Sequence, residues 1–265
     1  MSSDAISAIR RADAAGERPS DATARGGRRD ARAVARAALV AAGLTVLGLL
    51  AGTLLGLVPV IVEVFLTGAA AFAPPTLLAS TVLTMAGYAA VGLWFARQYG
   101  VAIPARRPTR RDVGWITGGT LLALAGVTVS LVALASLGVE AAPNAIGGFG
   151  EAMPVLFLAL AALSVVAIGP AEEILFRGAV QGRLRATVGP VGAVVGAGAL
   201  FASIHAFAVV GALGATLTTV AIIFVLSTVL GVAYERTRNI VVPALLHGFY
   251  NATLFVFAYV GTAGL

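Results

Sequence analysis

Seven stretches of this chain are apolar over about the ~20 residues a helix needs to cross a hydrocarbon layer, near 37–59, 76–96, 114–137, 154–176, 190–209, 215–234 and 240–260. Hydrocarbon offers no partner to a backbone N–H or C=O, so such a chain crosses as helices that satisfy those groups internally. Composition agrees, because 59% of the 265 residues are hydrophobic and only 11% charged, with a mean hydropathy of +0.96. A soluble domain of this length exposes far more charge. The expected fold is all-α, a polytopic transmembrane bundle of about seven spans in a cell membrane. The first apolar stretch continues toward Leu66 and includes Glu63, as one tilted helix or as a helix with an interfacial piece.

Arginine orients the bundle, since all 18 basic residues are arginine. Arg97, Arg106, Arg107, Arg110 and Arg111 follow span two; Arg183 and Arg185 follow span four; Arg236 and Arg238 follow span six. The alternate connections, around 67–75, 138–153 and 210–214, contain no basic residue. Cytoplasmic loops collect basic residues, which predicts a cytoplasmic amino terminus and an external carboxyl terminus. Residues 1–32 are mostly Ala, Arg, Asp, Ser and Gly. They have too little apolar surface to order themselves and read as a disordered, arginine-rich cytoplasmic tail. Spans one to three then form an N-terminal unit over 33–150, and spans four to seven a second unit over 151–265. The formal charge of +6 serves orientation in the bilayer, and no nucleic acid partner is expected. The absence of cysteine excludes disulfides, thiolate nucleophiles and cysteine-ligated zinc.

Three of the later spans carry polar groups that hydrocarbon disfavours. Span four ends Gly169-Pro170-Ala171-Glu172-Glu173-Ile174-Leu175-Phe176-Arg177, span five contains Phe201 and His205, and span seven contains His247 and Asn251. An acid at the membrane boundary costs roughly 2–3 kcal/mol on insertion scales, so a pair of them needs a reason. Glu173 and Arg177, four apart, share a helical face and can pair, whereas Glu172 points about 100° away. One carboxylate is thereby neutralised and the other left free. His247 and Asn251 are also four apart on one face. Costly groups in three helices imply one shared site inside the bundle.

In order, these residues spell E-E-x-x-x-R at Glu172, Glu173 and Arg177, F-x-x-x-H at Phe201 and His205, and H-x-x-x-N at His247 and Asn251, all within 80 residues. The pattern resembles the CPBP, or Abi, family of intramembrane proteases, related to CAAX prenyl endopeptidases and bacteriocin-processing or immunity proteins. The resemblance covers roughly residues 150–260, which makes 151–265 the catalytic core. It implies an endopeptidase that hydrolyses a peptide bond of a membrane-associated protein or peptide. Carried over, it gives Glu172 as general base assisted by His205, with His247 and Asn251 donating hydrogen bonds to the developing oxyanion. Glu173 and Arg177 become the supporting ion pair, and Phe201 packs beside His205.

The same residues also compose a metal site. His205, His247 and Glu172 make a His₂Glu set of the kind that holds catalytic zinc, with the other glutamate as base. The family is named for metalloproteases, yet a metal-free, glutamate-dependent mechanism is the reading preferred here, with no cofactor required. Other hydrolase chemistries lack their parts: no histidine precedes glutamate as in H-E-x-x-H, every aspartate lies in the tail or at Asp112, and Ser203 has no G-x-S-G loop. A non-enzymatic ion or proton carrier would distribute polar groups from face to face, and no internal repeat supports one. A catalytically inactive immunity or assembly protein would be expected to have lost a motif residue, and none is lost. The arginine pattern makes its own prediction. A reporter fused after Gly264 should report an external position, and a cytoplasmic signal would contradict the odd number of spans.

Overall fold

The computed structural model describes residues 19–68 and 73–264. It is all-helical apart from a single antiparallel bridge between Asn144 and Val209 among the described residues. Helix α1 spans Pro19–Thr67, α2 Pro74–Tyr99, α3 Arg110–Ser136 and the short α4 Ile146–Ala152. From Val155 one helical run continues through α5 (Val155–Leu163), a π-helical turn (Ser164–Ile168), α6 (Gly169–Glu173), a second π segment (Ile174–Gln181) and α7 (Gly182–Ile204). A 3₁₀ turn at His205–Phe207 ends it, and α8 (Leu213–Thr237) and α9 (Val241–Ala263) follow.

Among the described residues six helices are long and apolar enough to cross a membrane, and one of them, Val155–Phe207, has 53 residues. That length is two crossings. It breaks at Gly189, whose φ of 73° and ψ of −179° lie where glycine is at home and other residues are not. Pro190 then starts the return leg, a position its fixed φ suits. Counted by legs the bundle has the seven expected spans, as a multi-pass membrane protein.

The expected tail differs at its boundary. Residues 1–18 lie outside the described residues, but α1 already begins at Pro19, because the alanines and arginines ahead of the first span are strong helix formers that extend it backwards. At the other end α1 is one continuous helix through Pro59 to Thr67, which decides the question of Glu63. Its carboxylate accepts the Ala73 N–H at 3.1 Å, at the start of α2, where Pro74 and Pro75 offer no N–H of their own. Glu63 is a connector between the first two spans.

Two apolar cores hold the bundle. One joins Ala41 and Leu44 of α1, Tyr88 and Phe95 of α2, Leu175 and Phe176, and Ala197 and Phe201 of α7. The other joins Ile116 and Ala123 of α3, Leu230 of α8, and Val242, Leu246 and Tyr250 of α9. Where they meet, the backbones of the 155–188 leg and α9 nearly touch: a Cβ on Gly169 would stand 2.5 Å from the Ala244 carbonyl oxygen, and one on Gly248 would stand 2.8 Å from that of Ser164. Glycine on both helices permits this approach. The π turn beside it has a local cause, since Pro170 cannot bond the carbonyl four residues back and its ring crowds it. The Gly169 N–H bonds the Ser164 carbonyl five residues back instead, and such single π turns recur at functional sites. Gly169→Ala should therefore cost ~1–3 kcal/mol of stability by forcing the helices apart. Gly118→Ala, where the added Cβ meets nothing within 4 Å, should be neutral or stabilising; both are read by thermal unfolding in one detergent.

Candidate active site

The near-contact of the 155–188 leg with α9 delivers His247 between the two glutamates. Its Nδ1 is 3.0 Å from Glu173 Oε1 and its Nε2 is 3.7 Å from Glu172 Oε2. Both glutamates and the histidine are buried. A carboxylate only accepts, so Nδ1 carries the proton of the shorter contact. The other oxygen of Glu173 faces Arg177 Nε at 3.1 Å, with both side chains shielded from solvent. This is an ion pair at a poor angle for a hydrogen bond, and neither Glu173 Oε2 nor Arg177 Nε finds another partner among the described residues. Glu173 is thus engaged on both oxygens, while the nearest contact of Glu172 is the more distant edge of His247, with the charge of Arg177 and the phenol of Tyr88 also within its field.

Arg177 is fully buried and is held from α8. Its Nη2 donates to the Ser227 hydroxyl at 2.7 Å and to the Ser227 carbonyl at 2.9 Å. Its Cζ lies 4.9 Å from the centroid of the Phe201 ring, a cation–π distance. One turn further, Gln181 donates to the Gly231 carbonyl and to Glu235, so the second π segment is stitched to α8 at two levels. Ser227 was not singled out by the sequence. Its only signal was a polar residue amid an apolar span, which many packing serines share.

Phe201 is the hub on the remaining side. Its ring centroid is 4.6 Å from that of His205, 5.6 Å from that of His247 and 5.1 Å from that of Phe176. His205 donates from Nδ1 to the Phe201 carbonyl at 2.8 Å, which leaves Nε2 as an acceptor in the neutral ring. Both histidines border one aromatic side chain, but His205 forms no ion pair with either glutamate. Asn251 sits a turn beyond His247, half-buried, with no hydrogen bond to its amide among the described residues. Glu172, Glu173, Arg177, Phe201, His205 and His247 thus lie in one connected group, with Asn251 a turn beyond His247.

The set His205, His247 and Glu172 does not form a ligand shell in this conformation, because no three His, Asp or Glu side chains are gathered around one point among the described residues. Beside the first π turn lies a wholly apolar cavity of about 630 Å³, between Leu78 and Val82 of α2 and Ala159, Leu163 and Val166. Residues 154–253 match the family model described as type II CAAX prenyl endopeptidase, Rce1-like, and every motif residue falls inside that match. Over its last four spans the chain is thus similar to type II CAAX prenyl endopeptidases. No curated protein and no solved structure matches it. The anchoring of Arg177 can be tested directly. Ser227→Ala leaves a buried guanidinium N–H without its hydroxyl and should lower stability by ~1–3 kcal/mol; unfolding unchanged from wild type would show that the bond contributes nothing.

Proposed function

We propose that this protein is an intramembrane endopeptidase that cleaves a membrane-associated protein or peptide, with Glu172 as the general base. The observation that carries this reading is the asymmetry of the two carboxylates. Glu173 is occupied by Arg177 and His247, so its charge is compensated, whereas Glu172 makes no hydrogen bond among the described residues and lies 3.7 Å from His247 Nε2. A base must be free to take a proton.

In the mechanism Glu172 takes a proton from a water molecule as its oxygen attacks the scissile carbonyl carbon. The lone pair on His205 Nε2 accepts a hydrogen bond from that water and orients it. The carbonyl oxygen becomes an oxyanion, stabilised by His247 and by the Asn251 amide, donors aimed at charge that develops only in the transition state. His247 can donate from Nε2 while Nδ1 stays on Glu173 when both nitrogens are protonated. The C–N bond then breaks, and the proton held by Glu172 passes to the leaving nitrogen. No step needs a metal or other cofactor.

The apolar cavity beside the π turn suits the aliphatic part of a lipid-modified or membrane-inserted substrate, and the family match supports a peptide bond near a membrane surface as the target. The proposed topology keeps the amino terminus cytoplasmic and the carboxyl terminus external. Paired substitutions test the assignment. Glu172→Gln should abolish turnover of a membrane-tethered peptide while the protein melts as wild type, since an amide keeps the shape and cannot accept the proton. Glu173→Gln should lower stability by up to ~3–5 kcal/mol, as it strands the buried Arg177, with partial activity in the molecules that fold. Full activity in Glu172→Gln with complete loss in a well-folded Glu173→Gln would reverse the two roles.

A further inference from the structure

A second cavity, of about 550 Å³, opens where the middle of α1 meets the end of α2 and the start of α7. Its walls differ from those of the apolar cavity. Arg36 and Arg183 lie at its rim, Val40 and Leu44 form its floor, and Trp94 and Tyr99 stand on its α2 side, their rings edge to face with centroids 6.4 Å apart. No acidic residue lines it.

Among the described residues four arginines pair with a carboxylate, and neither of these two is one of them. Arg106 is paired with Asp112, Arg177 with Glu173, and Arg185 and Arg238 with Glu235. Arg36 has no ion pair or hydrogen bond among the described residues, and Arg183 reaches only the Thr187 hydroxyl at 3.4 Å. Two uncompensated guanidinium groups at the edge of an apolar hollow call for an anion that carries a chain. Trp and Tyr at the end of a span mark headgroup depth, and guanidinium forks match phosphate oxygens. The hollow exists because α1 has glycine at 43, where an added Cβ would meet no atom within 4 Å.

We propose that this cavity binds one anionic phospholipid, with its phosphodiester on Arg36 and Arg183 and an acyl chain along Val40 and Leu44 between α1 and α2. Basic pockets between transmembrane helices are suited to such headgroups. The position has a consequence for the rest of the molecule. Leu44 belongs to the core that contains Leu175 and Phe176, neighbours of Glu173 and Arg177 in sequence. The lipid therefore joins the first two spans, which the family match does not include, to the leg that carries the acids.

The test uses the full chain in a neutral detergent, titrated with phosphatidylglycerol or phosphatidylcholine and followed by melting temperature and by native mass spectrometry. One phosphatidylglycerol should bind, about tenfold or more tighter than phosphatidylcholine, and raise the melting temperature. Arg36→Ala with Arg183→Ala should remove that preference. Gly43→Leu should fill the hollow and block the lipid while favouring the helix, so it reads the site even if the arginine variant folds poorly. Arg107→Ala, an exposed arginine elsewhere, should bind as wild type. Equal affinity for the two lipids, unaltered phosphatidylglycerol binding in Gly43→Leu, or equal protection by glycerol 3-phosphate without chains would overturn the proposal. So would loss of peptide cleavage in a Gly43→Leu protein whose lipid binding is unchanged, which would make the hollow a substrate site.

Discussion

Burying Arg177 is the constraint on which the rest of this molecule depends. A guanidinium removed from water inside a membrane must find compensation within the protein, and here it comes from three helices at once. Glu173 supplies the opposite charge from one turn before, Ser227 supplies two acceptors from α8, and Phe201 supplies a ring face from α7. Each partner is placed by a different span. The apolar cores can choose among many near-equivalent packings, whereas the arginine restricts the bundle to those that bring these three partners to it.

From that anchor the reactive geometry follows by exclusion. Glu173, held by Arg177, turns its other oxygen to His247 and so sets the orientation of the imidazole. His247 then shows its second nitrogen to Glu172. The close passage at Gly169 and Gly248 makes this reach possible, because a side chain on either glycine would hold the helices apart by more than the hydrogen bond can span. Small residues thereby do for the backbone what the ion pair does for the side chains. The likeness to CAAX prenyl endopeptidases is confined to this part of the chain, where anchor, glycines and histidines all lie.

Much of this was legible in the sequence because it is local or counted in lengths. Seven apolar runs give seven legs, and the i, i+4 spacing of Glu173 and Arg177 gives their ion pair. What crosses between helices was hidden. On an ideal helix Glu172 points about 100° from Glu173, yet both meet His247, since an imidazole has a nitrogen on each edge and sits between them. Nothing in the pattern distinguishes Ser227 from a serine that packs against lipid, and the rotation of α8 toward Arg177 is a property of the assembled bundle. The start of α1 at Pro19 was hidden for another reason: low apolar content reads as a tail, while alanine and arginine continue a helix regardless.

With only two histidines in the chain, imidazole nitrogen signals can be assigned without crowding, and they report the central geometry directly. In protein labelled with ¹⁵N-histidine and held in bilayers, His247 should show a protonated Nδ1 bonded to a carboxylate. That signal should shift in Glu173→Gln and stay in place in Glu172→Gln. A His247 Nδ1 that ignores Glu173→Gln and responds to Glu172→Gln would contradict the assignment of Glu173 as the held carboxylate and Glu172 as the free one.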